Sequence, residues 1–329
     1  MKPYMRNQYY SVSDFKSIGI VEILFSIKKY IKIINILSKL IINKNYNLII
    51  TIDSPDFNYP LSKKIRNYGY NGKIIQVVAP TVWAWRKYRA KKFAKIFDEI
   101  FTLFTFENKF FEKFSLNVTC IGHPIYYIKK QTNLVNEKNM IAFLPGSRLG
   151  EIKSLFPYYQ LAYEQLLEEN SNYKIFIPTL PHLKNEILHR IKKWKIMTVV
   201  TTKKNEIEDY FLITKTALVC SGTASLEIAK RGIPQLIIYK LNILTEFIAS
   251  FLVKVRYANI INILENKMII PELTNSKLKI IIFIKKFNDL IMNEKLNNIQ
   301  IIEVNKVINK IEMSQPPIEI ACERIKVFL

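Results

Sequence analysis

Seven residues, Ser221-Gly222-Thr223-Ala224-Ser225-Leu226-Glu227, combine the features of an anion-binding turn. They follow the apolar run Ala217 to Cys220 and open an apolar-periodic segment, which reads as strand, small-residue turn and helix start. Such a turn leaves backbone N–H groups free at a helix N-terminus, where negative charge is favoured. Ser221, Thr223 and Ser225 add hydroxyls, and Glu227, inside the first helical turn, is placed to receive a ligand hydroxyl. The same residues also suit an ordinary strand-to-helix turn capped by Ser or Thr. A second candidate, Asp53-Ser54-Pro55-Asp56-Phe57-Asn58, ends the apolar run Leu48–Ile52. Two carboxylates at the carboxyl end of a buried strand lie where open α/β sheets place ligands, although Asp and Asn are also common turn residues. A third stretch, 79–86, sets Trp83 and Trp85 beside Arg86, Lys87 and Arg89. It reads either as an anchor for an anionic or lipidic ligand or as amphipathic packing with solvated cations.

The elements that must position these residues alternate. Apolar β-type runs are expected at 48–52, 73–78, 99–105 and 118–121, and again at 140–144, 173–177, 197–201, 217–220 and 235–239. Helical patterns at 18–42, 61–68, 91–96, 106–114, 152–169 and 183–194 separate them, and the Lys-rich tail from 277 is mostly helical. This order predicts two parallel, doubly wound α/β domains. Pro124 and the polar run 129–139 mark the linker, so the domains are expected at 1–130 and 139–329. The 18–42 helix is amphipathic and basic, with Lys28, Lys29, Lys32 and Lys39 between its isoleucines. It can pack on a sheet or lie on a membrane surface.

Composition narrows the partners. Lys and Arg number 49 against 27 Asp and Glu, an excess of 22 that favours anionic partners. The cations are scattered through an Ile-, Lys- and Asn-rich chain rather than clustered, which argues against nucleic acid. Three cysteines about a hundred residues apart (Cys120, Cys220, Cys322) lack metal-site spacing and read as buried thiols of a reducing compartment. With only three His, a multi-His metal site is not expected. No run reaches the roughly 18 apolar residues of a spanning helix; the nearest, 241–253, carries Asn242, Thr245 and Glu246.

Taken in order, TIDSPDFN (51–58), APTVWAWRKYRAKK (79–92), FTFENKFFEKF (104–114), IGHPI (121–125), FLPGSRLGEI (143–152), CSGTASLEIAKRGIPQLIIYK (220–240), LVKVRYANIINIL (252–264) and IIPEL (269–273) resemble the lipid-A-disaccharide synthase family. The resemblance covers about residues 15–275. It implies a GT-B fold, two Rossmann-like domains facing a cleft. It also implies an inverting hexosyltransferase that needs no metal or organic cofactor. The family moves diacylated glucosamine from its UDP derivative to diacylated glucosamine 1-phosphate, giving the β-1,6 disaccharide of lipid A and UDP. It implies a cytoplasmic location, peripheral on the inner face of the membrane, where the positive charge would meet anionic lipid. An oligomer is left open. The family's chain normally starts with a strand and a loop close to GEASGD, which this sequence lacks. The first domain is therefore expected to be short by about one and a half βα units. A late start codon, a degraded gene and a reduced enzyme each fit that departure. Glu265-Asn266 also departs from the family's usual Ala-Gly.

The resemblance assigns roles to matching residues. Asp53, or else Asp56, would be the base for the acceptor hydroxyl. Arg148, with Ser147 in the PGSR turn, and the Ser221-Gly222-Thr223 turn would meet the UDP phosphates without a metal. Glu227 would take the ribose hydroxyls. Asn262 and Glu272 would lie on the nucleotide side, and His123 at the inter-domain crossing as a hydrogen-bonding hinge. Acyl chains would use apolar surface on 18–42 and 241–253. Other UDP-sugar GT-B enzymes, such as the peptidoglycan UDP-GlcNAc transferase or a UDP-GlcNAc 2-epimerase, lack the VWAWR stretch. A non-catalytic remnant that binds UDP or lipid is the alternative of a different class.

Overall fold

Strands form where β-branched and aromatic residues run together. In a computed structural model, which describes residues 8–10, 20–84, 86–130, 138–169, 172–240 and 256–329, these runs assemble into two all-parallel sheets. The chain divides into two compact units, 1–121 with 318–329, and 122–317.

In the first unit β1 (Leu48–Ile52), β2 (Lys73–Val77), β3 (Glu99–Thr102) and β4 (Asn117–Cys120) lie side by side in chain order. Alternation along the strands sends Ile74 and Ile100 into a core with Ile49, Leu61, Ile65, Phe93 and Phe111. Ile75 and Phe101 face the other way, onto Ile121 and Ala321. Both faces are thus covered, as parallel sheets require. The helix Ile20–Lys44 turns Ile33, Ile34, Leu37 and Ile41 inward, so its described part packs on the sheet domain, with Lys28, Lys29, Lys32 and Lys39 left outside. The segment 241–253, the other expected acyl surface, lies outside the described residues.

Three differences from the expected elements have local causes. The second helix starts at Pro55 rather than at 61, because Pro55 takes the first helical position, where its missing N–H is harmless. It then runs through Pro60. The expected helix 106–114 is split into a short turn, Thr105–Glu107, and Lys109–Glu112. Glu107 folds back to accept from the Leu103 and Phe104 N–H groups (3.0 and 3.1 Å), tightening that turn. The helix Lys204–Leu212 and the strand Glu272–Thr274 were not expected. The thiols also differ from expectation: Cys220 is buried, but Cys120 is half-buried and Cys322 exposed.

The last helix, Pro317–Lys326, returns to the first unit from 318 onward, not to the second domain where the sequence division put it. Apolar contact of Ala321 and its neighbours explains part of this. The rest is Glu99, a fully buried carboxylate that accepts from Thr119 Oγ1 (2.5 Å) and twice from Arg324 Nε (2.7 and 2.9 Å). Stripping a buried charge of its partner costs about 3–5 kcal/mol, so the contact ties the C-terminus down.

In the second unit β5 (Met140–Leu144), β6 (Lys174–Pro178), β7 (Thr198–Thr201), β8 (Thr214–Cys220), β9 (Gln235–Tyr239) and β10 (Glu272–Thr274) form a six-stranded sheet. Their order is β10-β9-β8-β5-β6-β7. The order reverses between β5 and β8, the doubly wound arrangement, and ligands bind outside the carboxyl ends of strands at such a reversal. One face carries Ile141, Phe143, Ile175 and Leu218 against Leu155, Tyr159 and Phe287. The other carries Ala142, Phe176, Ala217 and Val219 against Phe211 and Ile228.

Candidate functional site

The first unit contributes the acidic turn after β1. Asp53 and Ser54 both have left-handed backbones, at φ +53° and +41°. Such residues cost on the order of 1–3 kcal/mol each and persist only when their surroundings hold them. Here the holding group is Gln76, a fully buried side chain on β2. Its Nε2 lies 3.1 Å from Asp53 O, 2.9 Å from Val77 O and 3.1 Å from Val78 O. Its Oε1 accepts from the Thr51 hydroxyl at 2.7 Å, which fixes which end of the amide points at the carbonyls. Val78 is itself left-handed, at φ +69°, so one carboxamide bridges two strained strand ends. Asn58 Nδ2 adds a bond to Asp53 O (2.5 Å), and the Asp53 N–H donates to Val77 O (2.9 Å). The backbone is tied down while the Asp53 carboxylate is exposed and meets no donor among the described residues. Asp56 is different. It pairs with Arg89 and stands 3.6 Å from Arg86. Of the two candidate bases, only Asp53 has its carboxylate uncommitted.

Trp83 is half-buried, set edge-on to Phe106, and its Nε1 donates to Glu107 Oε1 at 3.0 Å. Of the two readings of the tryptophan stretch, packing holds for Trp83; Trp85 lies outside the described residues.

In the second unit both phosphate-type turns lie at the reversal of strand order, one after β5 and one after β8. Their chemistry differs. After β5, Glu151 curls back over the turn: its Oε2 accepts from the Ser147 and Arg148 N–H groups (3.0 and 3.2 Å), and its Oε1 pairs with Arg148 at 2.9 Å. Gly146, at φ +111°, makes room for this, since a Cβ there would lie 2.6 Å from Glu151 Oε2. Glu151 thus occupies the Ser147 and Arg148 N–H groups just ahead of the helix, while the Arg148 side chain is 78% exposed. After β8 the turn is open. Gly222 has φ +150° and ψ −162°, a conformation close to exclusive to glycine. The N–H groups of Gly222, Thr223 and Ala224 meet no acceptor among the described residues. Ser225 is committed inward, bonding Gly222 O and accepting from Asn259 Nδ2 (2.7 Å). The helix starts at Thr223, so Glu227 opens its second turn rather than sitting in its first. The Glu227 carboxylate makes no hydrogen bond among the described residues. Burial pushes its carboxyl above the usual range, against the pull of Arg231, while Glu208 adds to the rise. Burial likewise pushes the Cys220 thiol, beside this turn, up to about 12, so it is an inert neutral group.

Asn262 and Glu272 bond mainly to each other and to nearby backbone. Asn262 is fully buried; its Nδ2 donates to Ile270 O (2.7 Å) and Glu272 Oε2 (3.2 Å), and its Oδ1 accepts from the Ile269 and Ile270 N–H groups. Glu272 also accepts from the Ala258 and Asn259 N–H groups (2.9 and 3.0 Å). Their polar atoms are occupied in shaping the 258–272 loop. Asn266, in the position of the family's usual glycine, ends the helix Ile260–Glu265 at φ +48°. Asn tolerates that geometry best after Gly, so the departure is absorbed locally.

His123 caps the turn Pro124–Tyr127, with Nδ1 accepting from the Ile125 N–H at 3.1 Å. Burial pushes its imidazole down from 6.5 to about 4, so it is neutral at pH 7. On acidification the unfolded chain binds this proton first. The stability held by His123 is therefore expected to be complete above pH 6.5 and to be lost as pH falls through about 4, a total of about 3 kcal/mol. Urea unfolding at pH 7 and pH 4.5 checks this: His123→Asn should lose less stability between the two than the parent, and equal losses would refute it.

A sequence model described as lipid-A-disaccharide synthetase matches residues 2–320. This chain belongs to that family. It is 32% identical over 328 residues to the lipid-A-disaccharide synthase of Rickettsia typhi, covering 96% of this chain and 86% of that one. It is 34% identical to that of Rickettsia canadensis, covering 96% and 85%. Among solved structures, a UDP-GlcNAc 2-epimerase from Neisseria meningitidis bound to UDP-GlcNAc superposes with TM-score 0.60 at 10% identity, over 90% of this chain and 81% of that one. MurG of Acinetobacter baumannii does so with TM-score 0.54 at 12% identity, over 87% and 79%. The fold is GT-B. Within the lipid-A-disaccharide synthetase frame, two residues of the site went unread in the sequence. Glu151 follows Arg148 at the three-residue spacing of a capping box, a legible signal. Gln76 stands in an apolar run and gives none, since its three carbonyl partners are set by sheet pairing.

Proposed function

We propose that this chain transfers a diacylated glucosamine from its UDP derivative to the 6-hydroxyl of a diacylated glucosamine 1-phosphate. The acceptor oxygen bonds to the anomeric carbon as the bond from that carbon to the UDP β-phosphate oxygen breaks, with inversion. Asp53 takes the hydroxyl proton. UDP leaves with the electron pair of the broken bond, its charge met by Arg148 and by the open N–H groups of Gly222, Thr223 and Ala224, and Glu227 receives the ribose hydroxyls. Ser147 and Ser221 flank these positions. The reading rests above all on the Asp53 carboxylate, uncommitted on a backbone that Gln76 holds.

No helix among the described residues is long and apolar enough to cross a membrane. With a formal charge of +22, the protein works on its acylated substrates at the inner face of an anionic membrane. The test is UDP release with the diacyl donor and acceptor presented in anionic and in neutral vesicles. Release is expected in both and faster on the anionic ones. No release in either refutes the transferase, and equal rates refute the charge-driven surface.

A further inference from the structure

A cavity of about 140 Å³ opens in the first unit beside the acidic turn. Pro55, Asp56, Tyr59, Tyr88, Arg89 and Lys92 line it. It is less than half the size of the smallest usual small-molecule pockets, roughly 300 Å³, which suits a headgroup rather than a whole acylated sugar. Its polar wall is cationic. The Arg89 side chain is 15% exposed and held against Asp56, Arg86 reaches the same carboxylate, and Lys92 Nζ stands 4.9 Å over the Tyr88 ring. Arg89 and Lys92 thus set two cations on the cavity wall that also carries the Asp56 carboxylate. Asp56 is itself 71% exposed, so the carboxylate side of the pair is in water, where an ion pair contributes little. The geometry is that of an oxyanion site in which an exposed side-chain carboxylate stands where a ligand anion would bind.

We propose that this cavity binds the phosphate monoester of the acceptor, with Arg89 and Lys92 as its contacts and Asp56 as the group it displaces. The proposal rests on the transfer reaction proposed above. Asp56 follows Asp53 by three residues and lies in the first turn of the helix Pro55–Asn67. In a hexosamine 1-phosphate the phosphate on C1 and the hydroxyl on C6 lie at opposite ends of the sugar. An anchor for the phosphate one turn along from the base therefore orients the hydroxyl. A dianionic phosphate also outcompetes a single carboxylate for a guanidinium, because it offers bidentate contact and more charge.

The test compares kcat/KM for diacylglucosamine 1-phosphate with that for the same acceptor lacking its phosphate. The parent protein is expected to prefer the phosphorylated acceptor by about tenfold or more, the usual scale of a charge-assisted hydrogen bond. Lys92→Met and Arg89→Gln should each pull that ratio toward unity, whereas Asp56→Asn should raise it. Opposite signs at Arg89 and Asp56 are what a purely structural ion pair would not produce. Lys92 is exposed, so its variant keeps the test valid if Arg89→Gln fails to fold. Inorganic phosphate should inhibit the parent competitively with the acceptor. If UDP is released but the ratio is unity in the parent, or unchanged in the variants, the phosphate site is wrong and the transfer reaction stands. If no acceptor supports UDP release, both fall.

Discussion

Asp53→Asn is expected to lower kcat for UDP release by about two to four orders of magnitude, the range for removing a positioned general base. Asparagine keeps the shape of the side chain and accepts the left-handed backbone at φ +53° at least as well as aspartate. The main-chain bonds from Gln76 and Asn58 are to the carbonyl of residue 53, not to its carboxylate, so they survive the substitution. Thermal unfolding should therefore be near that of the parent, and KM for the donor nearly unchanged, leaving the loss in kcat. Turnover under saturating donor and acceptor, read beside a melting curve, checks it. A variant that keeps more than a tenth of the parent kcat would remove Asp53 from the chemistry. Asp56→Asn is the internal contrast, because that carboxylate is spent on Arg86 and Arg89.

Arg148→Ala is expected to lower kcat/KM for the UDP-sugar by about 10²–10³, the scale found when one donor to a developing anion is removed. No metal is proposed to share the charge. The nearby backbone N–H groups of Ser147 and Arg148 are already bonded to Glu151, and the guanidinium is the charged donor of this turn. Its own tie to Glu151 is an exposed pair three residues apart, worth at most about 0.5 kcal/mol, and it can turn to a phosphate at little cost. Folding stability should for that reason stay within error of the parent. Titration calorimetry with UDP and the turnover assay together check it. A kcat/KM within threefold of the parent would show that the open turn after β8 meets the leaving group alone.

Much of the frame was legible from local spacing. Runs such as Leu48–Ile52, Met140–Leu144 and Gln235–Tyr239 are strands because β-branched and aromatic side chains pack on a pleated surface, and their bounds agree with the sequence reading. The turn at Ser221–Glu227 was legible for a similar reason: only a glycine fits the backbone at residue 222. The errors fell where a tertiary partner overrides a local signal. The helix expected from 61 starts at Pro55 and runs through Pro60 while Leu61 and Ile65 pack on the core. Asn262 and Glu272 were named from the motif, and the structure adds that their polar atoms bond within 258–272.

The sequence by itself determined which residues are able to do chemistry and which segments are strands and helices, because both follow from residue type and from periods of two to four residues. Only the tertiary structure decided which of those residues are available. Glu151 takes two N–H groups of the turn after β5, while those of Gly222, Thr223 and Ala224 after β8 meet no acceptor among the described residues. Asp56 meets two arginines 30 and 33 residues away, and Asp53 meets none among the described residues. Gln76 reaches Asp53 across the pairing of Thr51 with itself in β1 and β2. Arg324 finds Glu99 across 225 residues. Each pairing is set by the register of parallel strands and the crossing of helices over them. A one-residue shift in register would turn every side chain of a strand to the other face, and no local spacing encodes it.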